Sequence, residues 1–302
     1  MTSQPSVLVL GAGELGTAVY KALAAHSKHK SITVALRPSS LASTSPSKKA
    51  EIARITSLGI KTAACDITSA NEGELVRLFE QYHTVIGCTG MTYPPGTQLK
   101  IARAALAAKI PRYFPWQFGV DYDAIGRGSS QDLFTEQLDV RDLLRSQKET
   151  EWVIVSTGIF MSFLFWPPFG VVSEDHQIVK ALGGWKNTVT VTTPEDIGKA
   201  TAEIVYAAPE VQGVVYTAGQ TVSYGQVADI MEDVFGVKVE RQEWSVDSLK
   251  VDLAKDPENG LKKYRIVFAE GRGVAWDEAK TFNYQRGMKL QGVEEWVREN
   301  LL

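Results

Sequence analysis

Cysteine is scarce: 302 residues contain only Cys65 and Cys88, each inside an apolar or strand-like run. That excludes a disulfide framework and a cysteine-rich zinc site, and fits a reducing compartment. Histidine is nearly as rare, and His26, His29, His83 and His176 show neither HExxH nor HxE spacing, so no catalytic metal is expected. No apolar run reaches transmembrane length and residues 1–5 are too short for a signal peptide, so a cytoplasmic protein is expected. A surplus of one charge is also missing. Lys and Arg number 32 against 35 Asp and Glu, a net charge of −3, which argues against nucleic acid or a membrane surface as partner.

A local absence says more. No acid lies between Glu14 and Glu51, where the average of the chain would place about four. The stretch follows a strand-like Val7-Leu8-Val9-Leu10 and opens on Gly11-Ala12-Gly13-Glu14-Leu15-Gly16. In a strand-turn-helix, the first glycine of GxGxxG makes the tight turn, the second lets a pyrophosphate approach, and the third lets helix and sheet pack closely. Leu15, Ala18, Val19, Ala22 and Leu23 give the following helix one apolar face, and a second strand runs over 32–36. NAD sites usually place an acid after that strand, whereas a cation there receives the 2′-phosphate of NADP. This chain has Arg37, with Lys48 and Lys49 nearby. NADPH is the expected cofactor.

Strand and helix patterns alternate through the first half. Strands are expected at 7–10, 32–36, 60–65, 84–88, 112–114 and 152–156, with helices at 14–25, 47–57, 72–82, 96–108 and 131–147. This predicts an α/β NAD(P)-binding Rossmann fold, a doubly wound parallel sheet. Ligands of such sheets lie beyond the carboxyl ends of the strands, where Asp66, Thr89 and Gly90, the run Trp116-Gln117-Phe118-Gly119, and Thr157-Gly158 fall.

After residue 156 the alternation fails. Asp196 is read as the cap of a helix over 197–206, and a strand is expected at 214–217. Ser223 would cap a helix reaching Phe235, and Val293, Trp296, Val297 and Leu301 mark the apolar face of an end helix. The expected division is a dinucleotide-binding domain over 1–156 and a smaller, interleaved α+β substrate lobe over 157–302, with segments near 188–220 returning to the sheet. The aromatics Trp116, Phe118, Phe160, Phe163, Phe165, Trp166 and Phe169 suggest a ring-accepting pocket. His176 is a titratable candidate within the lobe, while Tyr122 and Asp121 are either proton donors or a loop capping the next helix.

The fingerprint, Leu36-Arg37, Arg112-Tyr113-Phe114-Pro115-Trp116-Gln117-Phe118-Gly119 and Ser156-Thr157-Gly158-Ile159-Phe160 together resemble the NmrA-like, isoflavone-reductase-like group of atypical short-chain dehydrogenases, in a fungal style. The resemblance covers nearly the whole chain. It implies NADPH bound by Arg37 and Lys49 at the 2′-phosphate, and a reductase of specialised metabolism acting on an aromatic or polyketide-type carbonyl, quinone methide, imine or benzylic ether. A monomer or homodimer is expected. The reductases of the group carry a catalytic lysine in a pattern like Phe-x-x-Lys-x-x-Val-Arg; here Phe134-Thr135-Glu136-Gln137-Leu138-Asp139-Val140-Arg141 places Gln137 at that position. None of the ten tyrosines has lysine four residues on, so the Tyr-x-x-x-Lys solution is missing too. A glutamine cannot titrate, but its amide can donate to a developing oxyanion. Gln137 and Tyr122 are therefore the catalytic candidates. Two alternatives stand beside a reductase: a dinucleotide-binding regulatory sensor, and a non-redox isomerase, dehydratase or cyclase.

Overall fold

The computed structural model describes residues 6–302, so the reading of residues 1–5 lies outside the described residues. Two compact units form. The first holds the chain up to Gln117 with Glu136–Val155 and Ile197–Val215; the second, nearly as large, holds Phe118–Thr135, Ser156–Asp196 and Tyr216–Leu302.

The strands, in chain order, are β1 (Val7–Leu10), β2 (Ile32–Leu36), β3 (Lys61–Ala64), β4 (Thr84–Gly87), β5 (Arg112–Phe114), β6 (Glu151–Ser156), β7 (Ile159–Phe160), β8 (Ile178–Leu182), β9 (Thr188–Thr192), β10 (Gly213–Tyr216), β11 (Gln220–Ser223) and β12 (Glu240–Trp244). In the first unit they make a seven-stranded sheet of order β10-β6-β5-β4-β1-β2-β3, parallel from β3 through β6. The order reverses at β1, which places the topological switch point between β1 and β4. The expected doubly wound fold is the observed one.

Alternation along the central strands explains the layers. Leu8, Leu10 and Val85 face a core built with Leu75 and Phe79 of the helix Glu72–Phe79, Ile101 and Ala105 of Thr97–Ala107, and Val140 and Leu144 of Leu133–Arg145. Burial of such side chains is worth roughly 1.5–3 kcal/mol each, and that, rather than helix propensity, holds these amphipathic helices in place.

Two readings of the second half need correction. The helix expected over 197–206 is Pro194–Val205, and Asp196 does not cap it. Thr193 Oγ1 accepts from the Asp196 N–H at 3.2 Å, while the Asp196 carboxylate accepts from Gln291 N–H at 2.6 Å. Thr193, just before the first helical residue, thus holds the cap position, and the Asp196 carboxylate reaches a distant loop. Of the segment 188–220, only β10 joins the large sheet. β9 pairs antiparallel with β11 and parallel with β7 in a separate three-stranded sheet of the second unit. β8 and β12 form a parallel pair there. Ser223 does cap Tyr224–Phe235, in a full capping box with Gln226.

Candidate dinucleotide and substrate sites

In the first unit, Gly11 leaves β1 at φ +101°, a turn only glycine makes without strain. A Cβ on Gly16 would lie 2.2 Å from the Gly11 carbonyl oxygen, so the helix Glu14–Ala25 can start this close to the sheet only with glycine there. Gly13, its N-cap, has open space where a Cβ would be. The helical ladder opens with Thr17 N–H to Gly13 O at 2.9 Å, which leaves the amides of Leu15 and Gly16 outside it. Donor amides at a positive helix end beside an open glycine suit a pyrophosphate. Glu14 is exposed in the first turn.

Arg37 follows β2, exposed, and its side chain has no hydrogen-bond or ion-pair partner among the described residues; the same holds for Lys49 in the first turn of Pro46–Ser57. Lys48, by contrast, is held by Glu51 at 2.7 Å. Asp66, after β3, is half-buried and accepts from Thr68 N–H at 3.1 Å in a local turn. Beyond β4, Thr89 is buried with its hydroxyl engaged by Gln98 at 2.9 Å, so only its backbone remains to serve a ligand, while Gly90 faces open space. Burial pushes the neighbouring Cys88 thiol far above its ordinary range, which removes it as a nucleophile near neutrality.

The helix Leu133–Arg145 is registered at the carboxyl ends of β4 and β5. Glu136 accepts from the amides of Gly96 and Leu99 at 2.9 and 3.0 Å, capping the helix after the Thr89-Gly90 loop. Gln117, just past β5, donates through Nε2 to the Gln137 carbonyl at 2.8 Å and accepts from Arg141 Nε at 2.8 Å. Gln117, expected to touch substrate, is thus 1% exposed and has both ends of its amide committed to that helix. Gln137 is 0% exposed, and neither its Nε2 nor its Oε1 has a partner among the described residues. A buried amide left unpaired at both ends is costly, roughly 1–3 kcal/mol for each lost bond. Trp116 stands half-buried beside Gln117 in the same unit.

In the second unit, Asp121 is the N-cap of Tyr122–Ile125, accepting from the amides of Asp123 and Ala124, and its other oxygen accepts from Tyr216 Oη at 2.7 Å. Asp121 therefore takes the capping role that the sequence offered as one of its two alternatives. Tyr122 heads a chain of rings: edge-on to Phe134 at 5.0 Å, then Tyr264 at 5.6 Å, Phe163 at 5.9 Å and Phe169 at 4.8 Å from Phe163. Trp166 lies tilted on Phe163 at 5.6 Å and is 44% exposed, the open end of the series. Burial, and then the adjacent Tyr122, push the Tyr264 hydroxyl upward, so it stays protonated. Phe118 is buried and Phe160 half-buried, both outside this series, and Phe165 stacks instead on Trp296. His176 sits in a turn at φ 59° with its ring against Phe235 at 4.9 Å, apart from the aromatic series.

The sequence therefore located most of these segments but not their partners. Arg141 could have been noticed, because Gln137 and Arg141 stand at i and i+4 within the buried stripe of one helix. Tyr264 carried no signal; only folding brings it to Phe134, 130 positions earlier in the chain.

The model of the NmrA-like family matches residues 3–297. The chain belongs to that family. An NmrA-like family domain-containing oxidoreductase of Gibberella moniliformis (strain M3125 / FGSC 7600) is 46% identical over 298 residues, 97% of each chain. Phenylcoumaran benzylic ether reductase 1 of Arabidopsis thaliana is 26% identical over 249 residues, covering 80% of this chain and 78% of that one. The solved structure of AtPrR2 with NADP+ and (+)pinoresinol shares the fold of this NmrA-like chain at a TM-score of 0.81, with 18% identity and 99% of both chains covered.

Proposed function

We propose that this NmrA-like protein is an NADPH-dependent oxidoreductase acting on an aromatic or polyketide-type small molecule. The observation that carries the reading is Gln137, a fully buried amide whose donor and acceptor are both unused at the carboxyl ends of β4 and β5. Natural cores rarely keep such a group unless it has a partner in the working state.

The cofactor reading is supported by the open face of Gly13, the amides of Leu15 and Gly16, and the unpartnered, exposed Arg37 and Lys49, which suit a pyrophosphate and a 2′-phosphate. When bound, NADPH supplies a hydride. Gln137 then donates a hydrogen bond to the oxygen on which charge develops, after the side chains that cover it give way to the ligand. An amide polarises without yielding its proton. That favours acceptors whose reduced anion water tolerates, such as a quinone or quinone methide giving a phenolate, over an unactivated ketone. The ring series from Tyr122 to Trp166 supports an aromatic substrate.

The test is a panel of quinones, quinone methides, aryl ketones, imines and benzylic ethers incubated with NADPH, followed by absorbance and product analysis. NADPH consumption that matches product supports the reading. Product without NADPH consumption would replace it with a non-redox enzyme, and NADPH binding without any product would replace it with a sensor.

A further inference from the structure

Two Gly-Arg-Gly tripeptides occur in the second unit, Gly126-Arg127-Gly128 and Gly271-Arg272-Gly273. All four glycines have positive φ, at 81°, 78°, 71° and 69°. Although far apart in sequence, the two turns border one open cavity of about 380 Å³, with Arg127, Arg272, Ser129 and Glu270 on its polar side and Ile125 and Val267 on its apolar side.

The second turn is over-determined. A Cβ at Gly271 would lie 2.6 Å from Asn187 Oδ1, and one at Gly273 would lie 2.7 Å from the Asp121 carbonyl oxygen, to which strand-like pairing adds Asp121 N–H to Gly273 O at 2.8 Å. Asn187 is itself fixed by bonds to Leu182 O and Phe268 O at 2.7 and 2.8 Å. Arg272 therefore projects from a rigid turn, yet it is exposed and has no hydrogen-bond or ion-pair partner among the described residues. The one acid on the cavity, Glu270, is paired with Lys250 at 3.3 Å, so it does not neutralise Arg272. Two guanidiniums beside an apolar wall, one of them projecting from a rigid glycine turn, make a receptor for an oxyanion attached to a ring.

We propose that this cavity is an anion subsite, in which Arg127 and Arg272 receive the carboxylate, sulfonate or phosphate of an aromatic ligand whose ring lies on Ile125 and Val267. The helix Tyr122–Ile125 places Ile125 in this cavity one turn from Tyr122, which connects the subsite to the aromatic series. That the anion belongs to the reducible substrate rests on the oxidoreductase reading; the anion site itself does not.

Two measurements keep these apart. Calorimetric titration of the intact protein with naphthalene-2-sulfonate, at constant ionic strength, should give binding that Arg272→Gln weakens about tenfold or more and that Arg127→Gln weakens similarly. Absent binding to the unaltered protein, or binding that both variants retain, overturns the subsite. Inorganic sulfate binding as tightly as naphthalene-2-sulfonate would identify a free anion as the occupant and overturn the ring contact. In the second measurement, Arg272→Gln should raise the KM for naphthoquinone sulfonate about tenfold relative to the KM for neutral naphthoquinone. A ratio left unchanged removes the substrate assignment. Loss of sulfonate binding in the variants with no turnover of either quinone sinks the reductase reading and leaves the subsite standing.

Discussion

Gln137 separates stability from function at a single position. Methionine has a similar length and no polar ends to leave unpaired, so Gln137→Met should raise the unfolding free energy by about 1 kcal/mol while lowering kcat about 100-fold. Thermal melts and NADPH oxidation, measured on the same preparation, check this. A melt that rises without loss of turnover would reduce Gln137 to a packing residue. Because an amide does not titrate, kcat for a quinone is also expected to be flat from pH 6 to 9, and a slope of one proton would assign the chemistry to another group. Past the carboxyl end of β2, Arg37→Ala should weaken NADPH binding about 10- to 100-fold and leave NADH binding nearly unchanged. Equal losses for both would remove the 2′-phosphate assignment.

The elements depend on close approaches that the sequence pattern does not advertise. Gly198, in the helix Pro194–Val205, would put a Cβ 2.4 Å from the Ala18 carbonyl oxygen of the helix Glu14–Ala25. Gly198→Ala is therefore expected to destabilise the protein by about 1–3 kcal/mol, despite alanine's better helix propensity, with denaturant melts as the check. Arg112 does a comparable service at the opposite end. Its buried guanidinium donates to the carbonyls of Ile204, Val205 and Val211 at 3.4, 2.9 and 2.6 Å, satisfying the carboxyl end of that same helix from the start of β5. In the first half, helix and strand boundaries could be read to within a few residues because apolar periodicity and glycine punctuation mark them, whereas β7, β8, β9, β11 and β12 were not read at all. The capping of Pro194–Val205 could not, because Thr193 and Asp196 both suit the cap and only the loop carrying Gln291 decides between them.

Over the whole molecule, pH acts through the edge of the large sheet. Burial first, and then hydrogen bonding and charge from Glu210, hold the Glu151 carboxyl above its usual range, with Arg112 opposing. A group whose pKa is raised by folding stabilises the fold below its unfolded value, about 4.3, and loses that contribution as pH rises through the folded value. Glu151→Gln should thus melt higher than the unaltered protein at pH 7 and equally at pH 4, with the bond from Gln212 Nε2 retained by the new amide's carbonyl. A variant that gains nothing at pH 7 would show that the Glu151–Glu210 contact carries no net strain.

What the sequence determined alone was the class of fold and the glycine turn that joins β1 to the first helix. Strand-helix alternation, GxGxxG and the acid-free run to Glu51 are local features, and local backbone geometry is enough to interpret them. Tertiary structure decided everything that depends on which distant side chains meet. It tied Gln117 to Arg141 and the Gln137 carbonyl, spent Asp121 on a cap, placed His176 against Phe235, and set Tyr264 beside Phe134. It also brought two Gly-Arg-Gly turns to one cavity. Pairings of this kind are fixed by the packing of whole elements, which no spacing along the chain encodes.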